Sequence, residues 1–425
     1  MAAIDWEITT LENGLRVVTS TVPTAQSVSV NVFVGVGSRA EDSRTNGVSH
    51  YLEHMMFKGT ERRPTAIEIA EAIEGAGGIL NAYTSQEMTC YWNQVPFDKL
   101  ERAMDVLSDM MQSSLIDQEE LDRERTVVQQ EIRRAYDQPS AWAGRLLTQA
   151  SFGDQPLGWP VAGTLETVEA LQRADFVDHI STWYVPRNMV LSVAGNATHQ
   201  EVVDAARKLY SSLDGRPTPP VAPAQEGLPA RNVIVESREI AQSNLGISLR
   251  AVSRTDPDRF PAMIMNTVLG RGMSSRLFKE VRERRGLAYS IGSGITRYND
   301  TGVLSISAGV SAENVAETTR VIKAELQKLV DEPVGEEEMT KARDYTIGSF
   351  RLGLETPMAL AQRAGEQLLM LGEIEPIEDV VRQIEAVTAD DVQRVSQRLI
   401  RNDNFSMSVV GPGANEDELR ELLAA

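Results

Sequence analysis

The segment His50-Tyr51-Leu52-Glu53-His54 contains two of the four histidines of this 425-residue chain. On an α-helix, residues four apart project from the same face, so the two imidazoles can reach one metal ion. Glu53 falls on the adjoining strip, where its carboxylate is poorly angled to be a ligand but well placed to take a proton from a water molecule. The order H-x-x-E-H inverts the commoner zinc-binding pattern H-E-x-x-H. We interpret the segment as a metal-binding helix; the alternative is a solvated helix whose polar residues fall close together by chance.

A catalytic zinc ion usually takes three protein ligands, so the segment predicts a third ligand elsewhere in the chain. Residues 117–135 predict a helix, because Asp117 and Glu120 have the spacing of a capping box and apolar residues follow at helical intervals. Glu124 and Glu131 stand seven residues apart on it, two turns along one face. Such a pair is more often part of a solvated face, but the histidine segment favours a role at the metal.

Glu124 and Glu131 lie 70 and 77 residues beyond His54. With the inverted motif, this spacing resembles the pitrilysin or insulinase family of zinc metallopeptidases, most closely the mitochondrial processing peptidase type. The resemblance implies one Zn2+ per chain, held by His50, His54 and Glu131, with Glu53 as the catalytic base. It also implies that Glu124 supports the site by hydrogen bonding to a ligating imidazole, a task suited to a carboxylate.

Residues 77–84, Gly-Gly-Ile-Leu-Asn-Ala-Tyr-Thr, extend this resemblance. They are similar to the edge strand along which the family binds its substrate, which makes Asn81, Ala82 and Tyr83 candidates for substrate binding. An added strand would bind mainly through its backbone, with little demand on sequence. The alternative is an ordinary strand after a glycine turn.

Residues 276–289 resemble a segment in the second half of the family's chains. There an arginine seven residues before a tyrosine helps to hold the substrate backbone near the zinc, and the matching residues here are Arg282 and Tyr289. The alternative is a surface arginine at a helix end and a tyrosine packed in a strand.

The chain alternates predicted strands and helices, and the second half repeats the order of the first. Prolines crowd residues 216–231, which we predict to be a linker between a catalytic, zinc-binding domain over 1–215 and a homologous domain over 232–425. The helix expected near residues 258–269 has no histidine or glutamate, so the second domain would hold substrate without binding metal. The resemblance implies an α+β fold in which each unit is a mixed, mainly antiparallel sheet covered by helices.

Full-length members of the family join four such units into a closed chamber, whereas this chain has two. The resemblance therefore implies a dimer, most simply a homodimer, with a heterodimer of homologous chains as the alternative. Arg282 and Tyr289 of one subunit would then face the zinc of the other.

Composition excludes several classes of function. The formal net charge of −19 argues against a nucleic-acid partner and suits basic peptides. No apolar run is long enough to span a membrane, and the start of the chain lacks the pattern of a secretory signal or a transit peptide. Cys90 is the single cysteine and lies in an apolar run, so we expect a buried thiol. These features favour the cytoplasm over a mitochondrial matrix.

The predicted function is that of a zinc-dependent endopeptidase acting on extended, unstructured peptides or presequence-like segments. Two alternatives remain: a non-catalytic structural or partner subunit with the same fold, and a zinc hydrolase of non-peptide substrates. His179 and His199 fall outside every motif, and we expect them to be surface or helix-end residues.

Overall fold

A computed structural model of the chain describes residues 5–225, 232–412 and 414–424. Residues 226–231 of the predicted linker therefore lie outside the described residues. The strands are β1 (Glu7–Thr10), β2 (Arg16–Thr21), β3 (Ser27–Val34), β4 (Ile79–Thr84), β5 (Thr89–Pro96), β6 (Met189–Gly195), β7 (Asn232–Glu236), β8 (Ser243–Ala251), β9 (Ala288–Arg297), β10 (Gly302–Val310) and β11 (Phe405–Val410).

The α-helices are α1 (Val48–Met55), α2 (Ala66–Glu74), α3 (Leu100–Ser113), α4 (Gln118–Asp137), α5 (Pro139–Phe152), α6 (Leu165–Ala170), α7 (Arg173–Trp183), α8 (His199–Tyr210), α9 (Arg259–Gly270), α10 (Val315–Asp331), α11 (Glu336–Leu352), α12 (Pro357–Leu371), α13 (Ile377–Glu385), α14 (Ala389–Leu399) and α15 (Glu416–Ala424). A π-helix covers Phe278–Arg284. Among the described residues, no helix is long and apolar enough to cross a membrane.

The chain forms two compact units. Unit 1 comprises Met1–Ile132, Pro160–Ala222 and Arg351–Ile377, and unit 2 comprises Arg133–Trp159, Pro223–Phe350 and Glu378–Ala425. The change at 222 and 223 falls within the predicted linker. Each unit also takes in a segment from the other half of the sequence, which a division by sequence position does not anticipate.

The sheet of unit 1 has the strand order β1-β2-β6-β3-β5-β4. Strands β2 and β6 are parallel, and the other neighbours are antiparallel. Strand β3 is central and is buried almost throughout, including its polar residues Ser29 and Asn31. Strand β4 forms one edge of this sheet, and β1 forms the other.

The sheet of unit 2 has the order β7-β11-β8-β10-β9. It repeats the first sheet strand for strand after β1, with one parallel pair, β7 and β11, and antiparallel neighbours elsewhere. Helix α9 follows β8 as α1 follows β3. The predicted fold class, α+β with two homologous units, is therefore confirmed.

One helix lies across each sheet. In unit 1, α12 packs on β2, β3 and β6, and in unit 2, α5 packs on β7, β8 and β11. Helix α12 comes from the second half of the sequence but belongs to unit 1. Helix α5 comes from the first half but belongs to unit 2. Burial of a sheet face, rather than closeness along the chain, decides where these two helices pack.

The contact of α12 with its sheet leaves no room for a side chain at Gly365. A Cβ there would lie 2.1 Å from Cε2 of Phe33, and Phe33 is fully buried. We expect Gly365→Ala to lower the free energy of unfolding by about 1–3 kcal/mol, the usual cost of overpacking a core, measured by urea denaturation. Gly348→Ala in α11 is the matched control, because no atom lies within 4 Å of that Cβ. Equal losses for the two variants would contradict this packing.

Candidate metal centre

Helix α1 carries the histidine segment, and its first turn is fixed by a buried carboxylate. Glu41 accepts hydrogen bonds from the backbone N–H groups of Gly47 (2.7 Å) and Ser49 (2.8 Å) and from the side chain of Asn46 (3.0 Å). The two backbone N–H groups would otherwise be unpaired at the helix start. Burial raises the pKa of Glu41, although the hydrogen bonds act in the opposite direction. Gly47 has φ of 99°, and a Cβ there would lie 2.8 Å from the carbonyl oxygen of Ala162.

The apolar face of α1 fixes which way the histidines point. Tyr51, Leu52 and Met55 are fully buried in the core of unit 1. The Tyr51 hydroxyl donates a hydrogen bond to the carbonyl of Leu121 in the first turn of α4, and its ring packs edge to face on Phe176 with centroids 4.9 Å apart. The hydrogen bond holds α1 against α4, the helix that carries both predicted glutamates, and the ring contact holds it against α7.

The two helices bring the three predicted ligands together. Nε2 of His50 lies 3.6 Å from Oε2 of Glu131, and Nε2 of His54 lies 3.4 Å from the same oxygen. Zinc bonds of about 2.0–2.1 Å in a tetrahedral site separate the ligand atoms by about 3.3 Å. One nitrogen or oxygen from each residue lies within 4.8 Å of the other two, and among the described residues no other such group of three occurs. The nitrogen and oxygen donors, their number and their spacing fit a zinc ion.

Exposure and charge also fit a site that meets a substrate. The Glu131 side chain is 47% exposed, whereas those of His50 and His54 are 18% and 16% exposed, so one side faces solvent. Burial, with a contribution from the neighbouring imidazole, lowers the pKa of His50 to about 4. The ring is therefore neutral at pH 7, the form that donates a lone pair to a metal. Its Nδ1 is buried with no hydrogen-bond partner among the described residues, so packing orients this ring.

Hydrogen bonding orients the second histidine. Nδ1 of His54 lies 2.9 Å from Oε1 of Glu124, and Nζ of Lys58 lies 2.5 Å from Oε2 of the same carboxylate. Burial is the largest single effect and opposes charge on both partners, but the hydrogen bond between them and the charges of Glu131, Glu53 and Lys58 together outweigh it. The pKa of His54 is therefore raised and that of Glu124 is lowered. Because the carboxylate accepts, Nδ1 carries the proton and Nε2 presents its lone pair beside Glu131.

Glu53 lies on the same helix as the histidines. Its Oε2 accepts a hydrogen bond of 2.6 Å from the hydroxyl of Thr84, the last residue of β4. Burial raises the pKa of Glu53, against the effect of this hydrogen bond. A carboxylate with a raised pKa is suited to accept and return a proton near neutral pH.

The predicted substrate residues lie on β4, the edge of the sheet. Oδ1 of Asn81 accepts a hydrogen bond from the backbone N–H of Ala82. Ala82 packs toward the core that contains α1, whereas Tyr83 packs on the opposite face of the sheet, in the cluster with Cys90. Burial raises the pKa of Tyr83, and Cys90 is buried as predicted. An extended ligand on this edge would therefore meet backbone and the Asn81 side chain.

Arg282 and Tyr289 lie together within unit 2. Arg282 belongs to the π-helix, and its guanidinium carbon lies 4.9 Å from the ring centroid of Phe278 and 5.5 Å from that of Tyr289. Tyr289 is on β9, the edge strand that corresponds to β4, and is 80% exposed. Helix α9, which follows β8 as α1 follows β3, contains no histidine or glutamate.

Sequence reasoning missed several residues of this region. Lys58 stands four residues after His54, a helical spacing that could have indicated its contact with Glu124. Thr84 gives no local signal. His179 was expected on the surface or at a helix end, but this expectation is wrong: it is buried within α7, with Nε2 3.3 Å from the Ser49 hydroxyl. His199 does lie at a helix end, as the first residue of α8.

Comparison with known proteins agrees with this fold and site. A family model described as Insulinase (Peptidase family M16) matches residues 16–165, and one described as Peptidase M16 inactive domain matches residues 170–345. An uncharacterized zinc protease of Streptomyces coelicolor is 37% identical, over 95% of this chain and 89% of its own. Another, from Bacillus subtilis, is 33% identical, over 96% of this chain and 98% of its own.

Solved structures share the fold at lower identity. A protease from Helicobacter pylori has a TM-score of 0.89 at 22% identity, covering 96% of this chain and all of its own. A chain of complex III from Candida albicans has a TM-score of 0.87 at 20% identity, covering 99% of this chain and all of its own. The paired α+β units and the histidine–glutamate cluster define a zinc metallopeptidase architecture. The chain belongs to the insulinase family of zinc metallopeptidases, peptidase family M16.

Proposed function

We propose that this chain is a zinc-dependent endopeptidase that hydrolyses extended, unstructured peptides, including presequence-like segments. The observation that carries the proposal is the convergence of His50, His54 and Glu131 on one point, with Glu53 on the same helix. The single cluster of this kind among the described residues supports one Zn2+ per chain.

Each residue has a distinct task in the proposed reaction. When bound, zinc supplies Lewis-acid polarisation and makes water a nucleophile near neutral pH. Glu53 takes a proton from the attacking water and returns it to the leaving amine, a role that its raised pKa favours. Glu124 keeps the proton of His54 on Nδ1, and Lys58 holds the other oxygen of that carboxylate.

The peptide would bind as an added strand on β4, where Asn81, Ala82 and Tyr83 lie. Backbone pairing on an edge strand demands an extended ligand and tolerates varied sequence. Arg282 and Tyr289 are proposed to hold the substrate backbone, as a cation and an exposed ring that lie side by side in unit 2. The net charge of −19 favours encounter with basic peptides.

The proposed assembly is a homodimer in which these two residues act on the partner's substrate. The support is a difference in the number of units: the family's closed chamber has four, whereas this chain has two, so two chains would be needed to form it. A heterodimer of homologous chains would satisfy the same requirement. A monomeric mass in sedimentation equilibrium of the active protein would contradict both. The cytoplasm is the proposed location, because a chain with a single cysteine cannot form an internal disulfide and fits a reducing compartment.

A non-catalytic role is the second candidate. The match to an inactive domain over residues 170–345 and the likeness to a chain of complex III favour it. The metal cluster and the base lie outside that matched range, in residues 16–165, and their presence favours catalysis.

The test is cleavage of an unstructured basic peptide by the purified, zinc-loaded chain. We expect turnover that a chelator abolishes and added zinc restores, and slow turnover of the same peptide with alternate backbone nitrogens methylated, because methylation blocks strand pairing. Equal rates for both peptides would argue against the edge strand and favour a broader zinc hydrolase. No turnover by the zinc-loaded chain would favour the non-catalytic role.

A further inference from the structure

We propose that Thr84 is a positioning residue for the catalytic base: its hydroxyl fixes the Glu53 carboxylate and so connects the substrate strand to the group that moves the proton. This inference rests on the proposed endopeptidase function. It adds a specific residue, outside the histidine segment, that would control the rate of the chemical step.

Side chains point alternately to the two faces of β4, and this places Thr84 on the face toward Glu53. Leu80 and Ala82 pack toward the core that contains α1, whereas Tyr83 packs on the other face of the sheet. Successive side chains of a strand point to opposite faces, so Thr84 lies on the same face as Leu80 and Ala82. Its Oγ1 reaches Oε2 of Glu53 at 2.6 Å. A shift of one residue in the register of β4 would turn this hydroxyl away from the base.

The hydrogen bond is suited to orienting a proton-transfer group. Glu53 has a flexible side chain, and burial alone does not choose the direction of its carboxylate. Thr84 is β-branched, so its χ1 is restricted, and the backbone of β4 sets the direction of its hydroxyl. That backbone is held by pairing with β5, in which Thr84 lies opposite Thr89. One carboxylate oxygen is thereby anchored to the sheet, which leaves the other oxygen for the proton transfer.

The position of Thr84 connects binding with chemistry. It is the last residue of the strand that would pair with substrate, and it follows Asn81, Ala82 and Tyr83 directly. The strand that would pair with the peptide is thus the same strand that carries the donor to Glu53. Misplacement of a catalytic group by about 1 Å is enough to cost about 100-fold in rate.

The experiment compares three zinc-loaded variants with the wild type in peptide cleavage. Thr84→Val keeps the shape and removes the donor, and Thr84→Ser keeps the donor. Thr89→Val is the matched control, because it removes a threonine hydroxyl that donates to the Val36 carbonyl at the opposing position of β5. We expect Thr84→Val to lower kcat by about 10- to 100-fold at unchanged KM and zinc content. Thr84→Ser should recover most of kcat, and Thr89→Val should lower the melting temperature without lowering kcat.

A binding measurement separates this role from a role in strand structure. The Kd of a labelled peptide, measured by fluorescence anisotropy, should be equal for Glu53→Gln and for Glu53→Gln/Thr84→Val. Weaker binding by the double variant, an unchanged kcat in Thr84→Val, or a serine variant as slow as the valine variant would each overturn the inference. If the wild type itself fails to cleave the peptide, the proposed function fails and the inference falls with it.

Discussion

Glu53→Gln is expected to lower kcat for peptide cleavage by about 100- to 10,000-fold, the usual contribution of a general base. The amide cannot take a proton from water at neutral pH, but it keeps the size of the carboxylate and can still accept the hydrogen bond from Thr84. Glu53 is not one of the three residues whose donor atoms cluster, so zinc content should not change. The measurements are steady-state kinetics and metal analysis on the same samples.

Glu120→Gln is the matched control for this prediction. Glu120 is on α4, pairs with Arg123 and has no hydrogen bond to the site. It should leave both kcat and zinc content unchanged. Activity of Glu53→Gln close to that of the wild type would assign the proton transfer to another group.

The second large effect is expected on zinc affinity, and its size should depend on whether a ligand or its supporting carboxylate is removed. His50→Ala, His54→Ala and Glu131→Gln each remove one of the three donors and should abolish stable zinc binding, measured by competition with a chelating dye. Glu124→Gln leaves all three donors in place. It should weaken zinc binding by about 10- to 100-fold, because the carboxylate that orients His54 is lost.

Glu53→Gln is the internal control of this series, since it alters the same helix and should bind zinc like the wild type. Zinc affinity of Glu131→Gln equal to that of the wild type would contradict the third ligand. An effect of Glu124→Gln as large as that of Glu131→Gln would place Glu124 among the ligands.

Local pattern predicted much of the secondary structure near the site. The helix expected over residues 117–135 is α4, and the carboxylate of Asp117 accepts hydrogen bonds from the N–H groups of Glu119 and Glu120 at its start. Thr65 and Glu68, three residues apart, form a capping box at the start of α2. These features depend on residues three or four apart, and such contacts can be read from sequence spacing.

Contacts between distant segments were not predictable in this way. Thr84 reaches Glu53 across 31 positions and Glu124 reaches His54 across 70. The second contact was expected only because the spacing resembled a known family. The local pattern gave no sign that α5 would belong to unit 2 and α12 to unit 1, or that His179 would be buried.

The sequence by itself determined the donor types, the helical spacing that places His50, Glu53 and His54 on adjoining strips of one helix, and the repeated order of strands. These depend on backbone geometry, which acts within a few residues. Only the tertiary structure decided that Glu131 meets both imidazoles and that a hydroxyl from an edge strand holds the base. The reason is that close packing of α1 on α4 and the register of β4 set those distances, and both arise from contacts between segments far apart in the chain.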